Sequence, residues 1–320
     1  MTDPTDLECW YEALKAYTFP TTFLPLNELE CQCIVDAYED YKQGSTKITD
    51  DPQKIETLEV LKAKIDEEMK RVMIKEGDGA FVRLSTRSPK DAVLRDETKI
   101  KKLLDLEMKN LGVTSYEDVE HTMIAVIRAA IKCMRVTSGA EAVKYMCRSE
   151  RSYHDLFARL LNYGQTEKFQ MNVVVRQWVE TQPEWEFRGF VSKGKMTALT
   201  QYFKSCYVRQ LSQNKNEIAK KIVALQEEVH PLIGLDSYTI DFVVTPEKIW
   251  IIELNTFGPQ ASPSLFNWAE DNEVMNYGPF ECRVLKGMPK RPKSMLAQPL
   301  RNLLGWTPEP EEEERSCVIS

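Results

Sequence analysis

The sequence predicts an α+β protein of two lobes with antiparallel sheets, plus a helical insertion. Three observations lead there. Residues 52–75 and 97–160 carry apolar side chains at three- and four-residue spacing, the period of a helix with one buried face. From residue 169 the pattern turns to short β-branched and aromatic runs broken by turn residues. One of these pairs, Tyr238 to Gly258, reads as a hairpin whose apolar strands are interrupted by oxygen-bearing side chains.

With 320 residues the chain is long for one domain and comfortable for two lobes. Its 42% hydrophobic and 28% charged residues are ordinary for a globular protein, and a core of this size needs no disulfide or metal staple. The net charge of −7 argues against non-specific nucleic-acid binding, so no nucleic acid is expected as a partner. The acidic start, MTDPTDLECWYE, is not a signal peptide, and no apolar run is long enough to span a membrane. Eight scattered cysteines lack zinc-ligand spacing, and seven of them read as reduced cytosolic thiols. A cytoplasmic location is therefore expected.

In chain order, Phe19–Leu26 carries two prolines and reads as an extended or edge strand. Residues 27–42 read as a helix with Leu29, Ile34, Val35 and Tyr38 inward. Pro52–Lys75 reads as another, with Ile55, Leu58, Leu61, Ile65, Met69 and Val72 inward. Ala80–Leu84 is a short strand, followed by the polar loop SerThrArgSerProLysAsp. Arg83, Arg87 and Lys90 with the hydroxyls of Ser85, Thr86 and Ser88 suit phosphate oxygens there, or form an ordinary solvated loop.

Residues 97–160 read as wholly helical, with a break at Gly112 and a capping box at Ser115 and Asp118. The three histidines, His121, His154 and His230, are isolated and read as structural. Strands follow at Gln170–Val179, Trp185–Val191 and Met196–Tyr202, the last two joined by a glycine-bearing turn at 192–195. Residues 212–229 form a helix. SerLeuPheAsnTrp, after Pro263, reads as a short helix. Residues 283–320 form a proline- and charge-rich disordered tail. It ends in CVIS, whose Cys317 fits the prenylation signal and would add a membrane anchor.

The hairpin carries the chemistry. Side chains alternate along a strand, so Glu253 and Asn255 share a face, and Asp241 sits on the partner strand, where pairing can bring it opposite them. Buried carboxylates need a partner. Mg²⁺, which takes one or two carboxylates plus phosphate oxygens, is one answer. Pairing with buried arginines is the other, and Arg176 in VVVRQW and Arg188 in EFRGF are available. Trp178 shares the Arg176 face, where it flanks a purine or simply packs.

These blocks resemble the ATP-grasp arrangement, and more narrowly the cell division cycle protein 123 family. The resemblance is carried by WY…FLPL, FVRLSTRSPKDA, VVVRQWVE, EFRGFV, IDFVV…IWIIELNTFG and SLFNW, in the family's order. It implies an ATP-grasp-like fold whose lobes enclose a nucleotide cleft. ATP and Mg²⁺ would be its cofactors, with Asp241, Glu253 and Asn255 on magnesium. Arg176, Gln177, Trp178 and Val179 would flank the adenine, and Arg188, Arg83, Ser88 and Lys90 would serve the phosphates. The implied activity is assembly of eukaryotic translation initiation factor two, by docking on its gamma subunit. Implied boundaries are an N-terminal lobe at 1–94, a helical insertion and connection at 95–165, a C-terminal lobe with the site at 166–282, and the tail at 283–320.

The sequence departs from the family at Arg83, where lysine is usual, at Thr86, where tryptophan is common, and at Glu253, where aspartate is typical. The 95–145 helices and CVIS are also foreign to it. These departures point to a paralogue or divergent lineage. An ATP-grasp ligase, or a phosphoryl or nucleotidyl transferase, is the alternative activity. No evident catalytic base accompanies the site, which favours binding over turnover. On this reading Asp241→Ala or Glu253→Ala would abolish Mg-dependent ATP binding and leave the fold intact.

Overall fold

The structure is a computed structural model that describes residues 3–45, 49–75, 77–162 and 170–306. Cys317 and the CVIS motif lie outside the described residues. The chain begins with α1 (Leu7–Leu14), whose Leu7, Trp10 and Leu14 are buried, and β1 (Thr21–Pro25). Helix α2 (Glu28–Lys42) opens on a capping box between Asn27 and Glu30, which satisfies two backbone donors that a helix start leaves free. Asp51 caps α3 (Pro52–Val72), with Pro52 at its first position. Leu58, Leu61, Ile65, Met69 and Val72 are buried as expected, but Leu29 is 49% and Ile55 42% exposed. Both lie in the first turn of their helix, where the stripe has drifted off the core. Strand β2 (Ala80–Leu84) and the single turn α4 (Lys90–Val93) follow.

The stretch expected to be wholly helical is broken by a strand. It runs α5 (Glu97–Asn110), α6 (Val119–Cys133), β3 (Arg135–Val136), α7 (Gly139–Met146) and α8 (Glu150–Asn162). Then come β4 (Asn172–Gln177), β5 (Glu186–Ser192), β6 (Lys195–Gln201), α9 (Arg209–Ile233), β7 (Tyr238–Val244) and β8 (Ile249–Thr256). Helix α10 (Asn272–Tyr277), β9 (Glu281–Arg283) and α11 (Gln298–Leu303) complete the described chain. SerLeuPheAsnTrp is not helical; Ser264 has φ 53°, outside the right-handed helical region. The expected tail is partly built: Leu300 and Leu304 of the α11 segment are buried and line a small apolar void with Ile100, Leu104, Val126 and Ala129. No helix among the described residues is long and apolar enough to cross a membrane.

The chain divides into two units. One comprises Met1–Arg95 and Cys133–Glu180; the other comprises Asp96–Lys132 and Thr181–Ser320. The first holds a four-stranded sheet in the order β1-β4-β2-β3. The second holds a five-stranded sheet in the order β8-β7-β5-β6-β9, antiparallel except at β6–β9.

The supposed insertion is therefore split. Helices α5 and α6 join the second unit through a buried ionic network. Glu107, 1% exposed, accepts from Lys132 at 2.8 Å, and Arg128 reaches Glu184, which is 3% exposed. Helices α7 and α8 belong to the first unit.

Candidate functional site

One polar rung crosses the whole second sheet. Strand pairing sets Glu253 opposite Asp241, Asp241 opposite Arg188, Arg188 opposite Thr200, and Thr200 opposite Arg283. Directly paired residues present their side chains to the same face. A β-bulge follows Asp241 in the β7–β8 pairing, the kind of irregularity that re-aims a side chain. Glu253 and Asn255 are half-buried on that face, and the Asn255 amide lies 3.5 Å from Glu253 Oε1. The three predicted oxygen donors thus do converge.

Their electrostatic partner is Arg188. Its Nε donates to Asp241 Oδ1 at 2.7 Å and its Nη2 to Oδ2 at 2.6 Å, a fork-on-fork pair. Both side chains are 4% exposed. Arg188 Nη1 donates to the Ser262 carbonyl at 2.9 Å, and the guanidinium lies 4.9 Å from the Tyr202 ring. Arg188, expected to serve a phosphate, is held here by Asp241 and by the 258–271 segment. That segment and α10 roof the same face: Phe266 and Met275 pack on Phe190 and Ala198, with Phe257 and Trp268 at their edge.

Burial raises the Asp241 carboxyl to about 6, with Arg188 opposing and Glu253 adding to the rise. Burial works against the Arg188 charge but is outweighed by Asp241, so its pKa rises as well.

A third acid was missed in the sequence. Glu186 precedes Arg188 by two residues on β5, so alternation places it on the same face. Its pKa is raised well above the ordinary value, first by burial and then by Asp241, Glu253 and Glu184. The signal was available, since any residue two away from Arg188 shares its face. Glu186 thus adds a third carboxylate to the electrostatics around the Arg188–Asp241 pair.

A prediction follows from the sign of that shift. The folded state binds a proton at Glu186 that the unfolded chain releases above its ordinary 4.5. Its contribution to stability is present below that pH and is lost as pH rises through the raised value. Glu186→Gln is expected to stabilise the protein at pH 8 by about 1–3 kcal/mol and to flatten the fall between pH 5 and 8. Urea midpoints at the two pH values test this; parallel curves for both proteins refute it.

The other predicted residues lie in the first unit. Arg83 is 8% exposed, and its guanidinium folds back onto its own loop, to the carbonyls of Leu84 at 3.1 Å and Thr86 at 2.6 Å. It clamps the loop rather than projecting from it. Arg87 pairs instead with Asp155 of α8, through Nε at 3.0 and 3.1 Å. Ser88 is half-buried and Lys90 is exposed at the start of α4. Arg176, 2% exposed, donates to the Thr18 hydroxyl at 2.6 Å and lies over the Phe19 ring at 5.0 Å. The Gln177 backbone donates to the Pro20 carbonyl at 2.8 Å. Trp178 and Val179 are half-buried beyond the end of β4, and the Trp178 indole donates to Glu180 at 3.2 Å.

A magnesium ion fits this second-unit face in donor type and charge. Glu253 and Asn255 offer oxygens, and Asp241 retains lone pairs beyond those taken by Arg188. Among the described residues no group of three or more histidine, cysteine, aspartate or glutamate side chains is placed to hold a metal. Two carboxylates and an amide oxygen fall below that count, and Mg²⁺ completes its shell with water and phosphate.

The sequence model of the D123 family matches residues 125–298. The translation initiation factor eIF2 assembly protein of Dictyostelium discoideum is 33% identical over 100 residues, which is 31% of this chain and 26% of that protein. Its Xenopus laevis counterpart is 33% identical over 100 residues, covering 31% and 30%. Cell division cycle protein 123 of Candida glabrata is 29% identical over 113 residues, covering 33% and 30%. The alignments thus span only about a quarter to a third of those relatives. The structure of Cdc123 from Schizosaccharomyces pombe superposes with a TM-score of 0.60 at 17% identity, covering 88% of this chain and 96% of that one. The fold is shared across nearly the whole length.

Proposed function

Because the chain belongs to the D123 family, we propose that it assembles a eukaryotic translation initiation factor of the eIF2 type and binds ATP with Mg²⁺ to do so. The observation that carries the nucleotide part is the charge on the rung. The buried Asp241, bound to Arg188, lies opposite the half-buried Glu253, and Glu186 stands on the same face of β5 two residues from Arg188. A second positive charge relieves their repulsion, and a divalent ion also supplies the bridge to a polyphosphate.

In this reading Glu253 and Asn255 would hold the ion. Asp241 adds its remaining lone pairs, and Arg188 holds Asp241 in place. The groups around the rung are oxygen acceptors and a committed guanidinium, an arrangement suited to binding a nucleotide. The client is the factor's gamma subunit. Nucleotide promotes assembly only as far as it binds the client-competent state more tightly than the other.

Glu253→Gln tests the site cleanly, because Glu253 is half-buried on the outermost strand, β8. Titration calorimetry with ATP is expected to show affinity lowered on the order of tenfold or more in MgCl₂, and little change without it. Equal affinities in both proteins with magnesium would remove the site. Co-purification of the gamma subunit that depends on ATP supports the assembly reading. ADP accumulating in the same mixture would move the reading to turnover.

A further inference from the structure

The rung face holds a hydroxyl that the folded chain leaves unsatisfied. Thr239 is wholly buried, and its Oγ1 has no hydrogen-bond partner among the described residues. It precedes Asp241 by two residues on β7, so alternation turns both to the same face. Strand pairing sets it opposite Phe190 on β5 and opposite Asn255 on β8. Phe190 has no polar side-chain atom, so Asn255 is the hydrogen-bonding side chain in its register. Directly paired residues hold their Cβ atoms about 5 Å apart, within reach of a bond between a hydroxyl and an amide.

The hydroxyl is not there for the strand. A β-branched side chain suits that position, but valine supplies the same shape, as Val243 does two residues beyond Asp241 on the same face. A buried hydroxyl without a partner is unfavourable, and a methyl group in its place is not. Asn255 is loosely held in turn. Its Nδ2 lies 3.5 Å from Glu253 Oε1, the outer limit of a hydrogen bond. An amide has an oxygen end that accepts and a nitrogen end that donates, so the partner of one end decides where the other points. A cation shared by Glu253 and Asn255 needs the oxygen end, which leaves the nitrogen end in want of an acceptor.

We propose that Thr239 is a positioning residue for the cation site. Its Oγ1 accepts from Asn255 Nδ2 and so aims Asn255 Oδ1 at the ion. The inference rests on the magnesium–nucleotide reading above and deepens it by adding a residue behind the three oxygen donors. It also gives the unpaired hydroxyl a purpose: Thr239 is unfavourable in the empty site and satisfied in the filled one.

That opposition supplies the test. Thr239→Val and Thr239→Ser are compared with the wild type as full chains. Urea denaturation in EDTA reads stability, and titration calorimetry reads ATP affinity in MgCl₂ and in EDTA. Thr239→Val is expected to be at least as stable as the wild type in EDTA. Its ATP affinity should fall on the order of tenfold in MgCl₂ and stay unchanged in EDTA. Thr239→Ser, which restores the hydroxyl, should bind within about twofold of the wild type. In an Asn255→Ala background Thr239→Val should cost no further affinity, because the residue it positions is gone.

The proposal is overturned if Thr239→Val loses stability in EDTA, if its affinity falls equally with and without magnesium, or if the two losses add in the double variant. Unchanged magnesium-dependent affinity in Thr239→Val with a loss in Glu253→Gln overturns this inference and leaves the nucleotide site standing. Unchanged affinity in both variants removes the site and this inference together.

Discussion

Asp241→Ala will destabilise the protein by about 3–5 kcal/mol, because it strands the Arg188 guanidinium in the core. Both partners are 4% exposed, and two bonds of 2.6 and 2.7 Å join them. Removing one member of such a pair leaves an uncompensated buried charge. Replacing both, as in Arg188→Met with Asp241→Leu, should recover most of the loss, because the desolvation of two ions is removed together. Urea denaturation of the two single variants and the double variant measures this. A loss under about 1 kcal/mol in Asp241→Ala would show that the pair is dispensable.

The result changes how the site is probed. Alanine at 241 had been expected to silence ATP binding and spare the fold. The pairing makes any loss of binding in that variant ambiguous, which is why Glu253→Gln is the sharper instrument.

Gly139→Ala will destabilise by about 3 kcal/mol, at the upper end for an overpacked contact. A methyl group built on Gly139 would sit 2.1 Å from the Lys62 carbonyl oxygen and 2.9 Å from its carbon. Those are backbone atoms of α3 and cannot swing aside. The Gly139 amide also donates to Asp66 Oδ1 at 2.6 Å, fixing the start of α7 against α3. Either the hydrogen bond or the helix contact must give. Gly287→Ala is the control, because nothing lies within 4 Å of its added methyl. A denaturation midpoint for Gly139→Ala equal to that of the control would refute the close approach.

The hairpin was legible in the sequence because its two signals reinforce each other. Alternation put Glu253 and Asn255 on one face and Thr245-Pro246-Glu247-Lys248 set the turn, but it is the β-bulge after Asp241, which the sequence does not show, that shifts the register by one and brings Asp241 opposite Glu253. Which cation met them was not legible, because a strand arginine pairs with whatever lies opposite in the register. Arg188 lies opposite Asp241, while Arg176 on the other sheet found the Thr18 hydroxyl instead.

Arg83 shows the same limit. Its charge is legible in the sequence, but its course is not, since a long side chain bends back onto loop carbonyls as readily as it extends. The two-residue strand β3 was hidden because two residues carry no period. Division of the helical stretch between the units depended on Glu107 and Glu184, acids that read as surface residues and are buried with Arg128 and Lys132.

The interleaved units bear on how the chain is made. Strand β1 pairs with β4 alone, and β4 also carries β2. On a ribosome that strand emerges only after all of α5 and α6 have been translated. The nascent N-terminal piece thus waits with an open strand edge, which exposes it to wrong pairing and to capture by holding chaperones. Cutting the gene at any single point between the two sheets' strands would leave one fragment without residues its sheet or its buried charges require, so the protein is made whole or not at all.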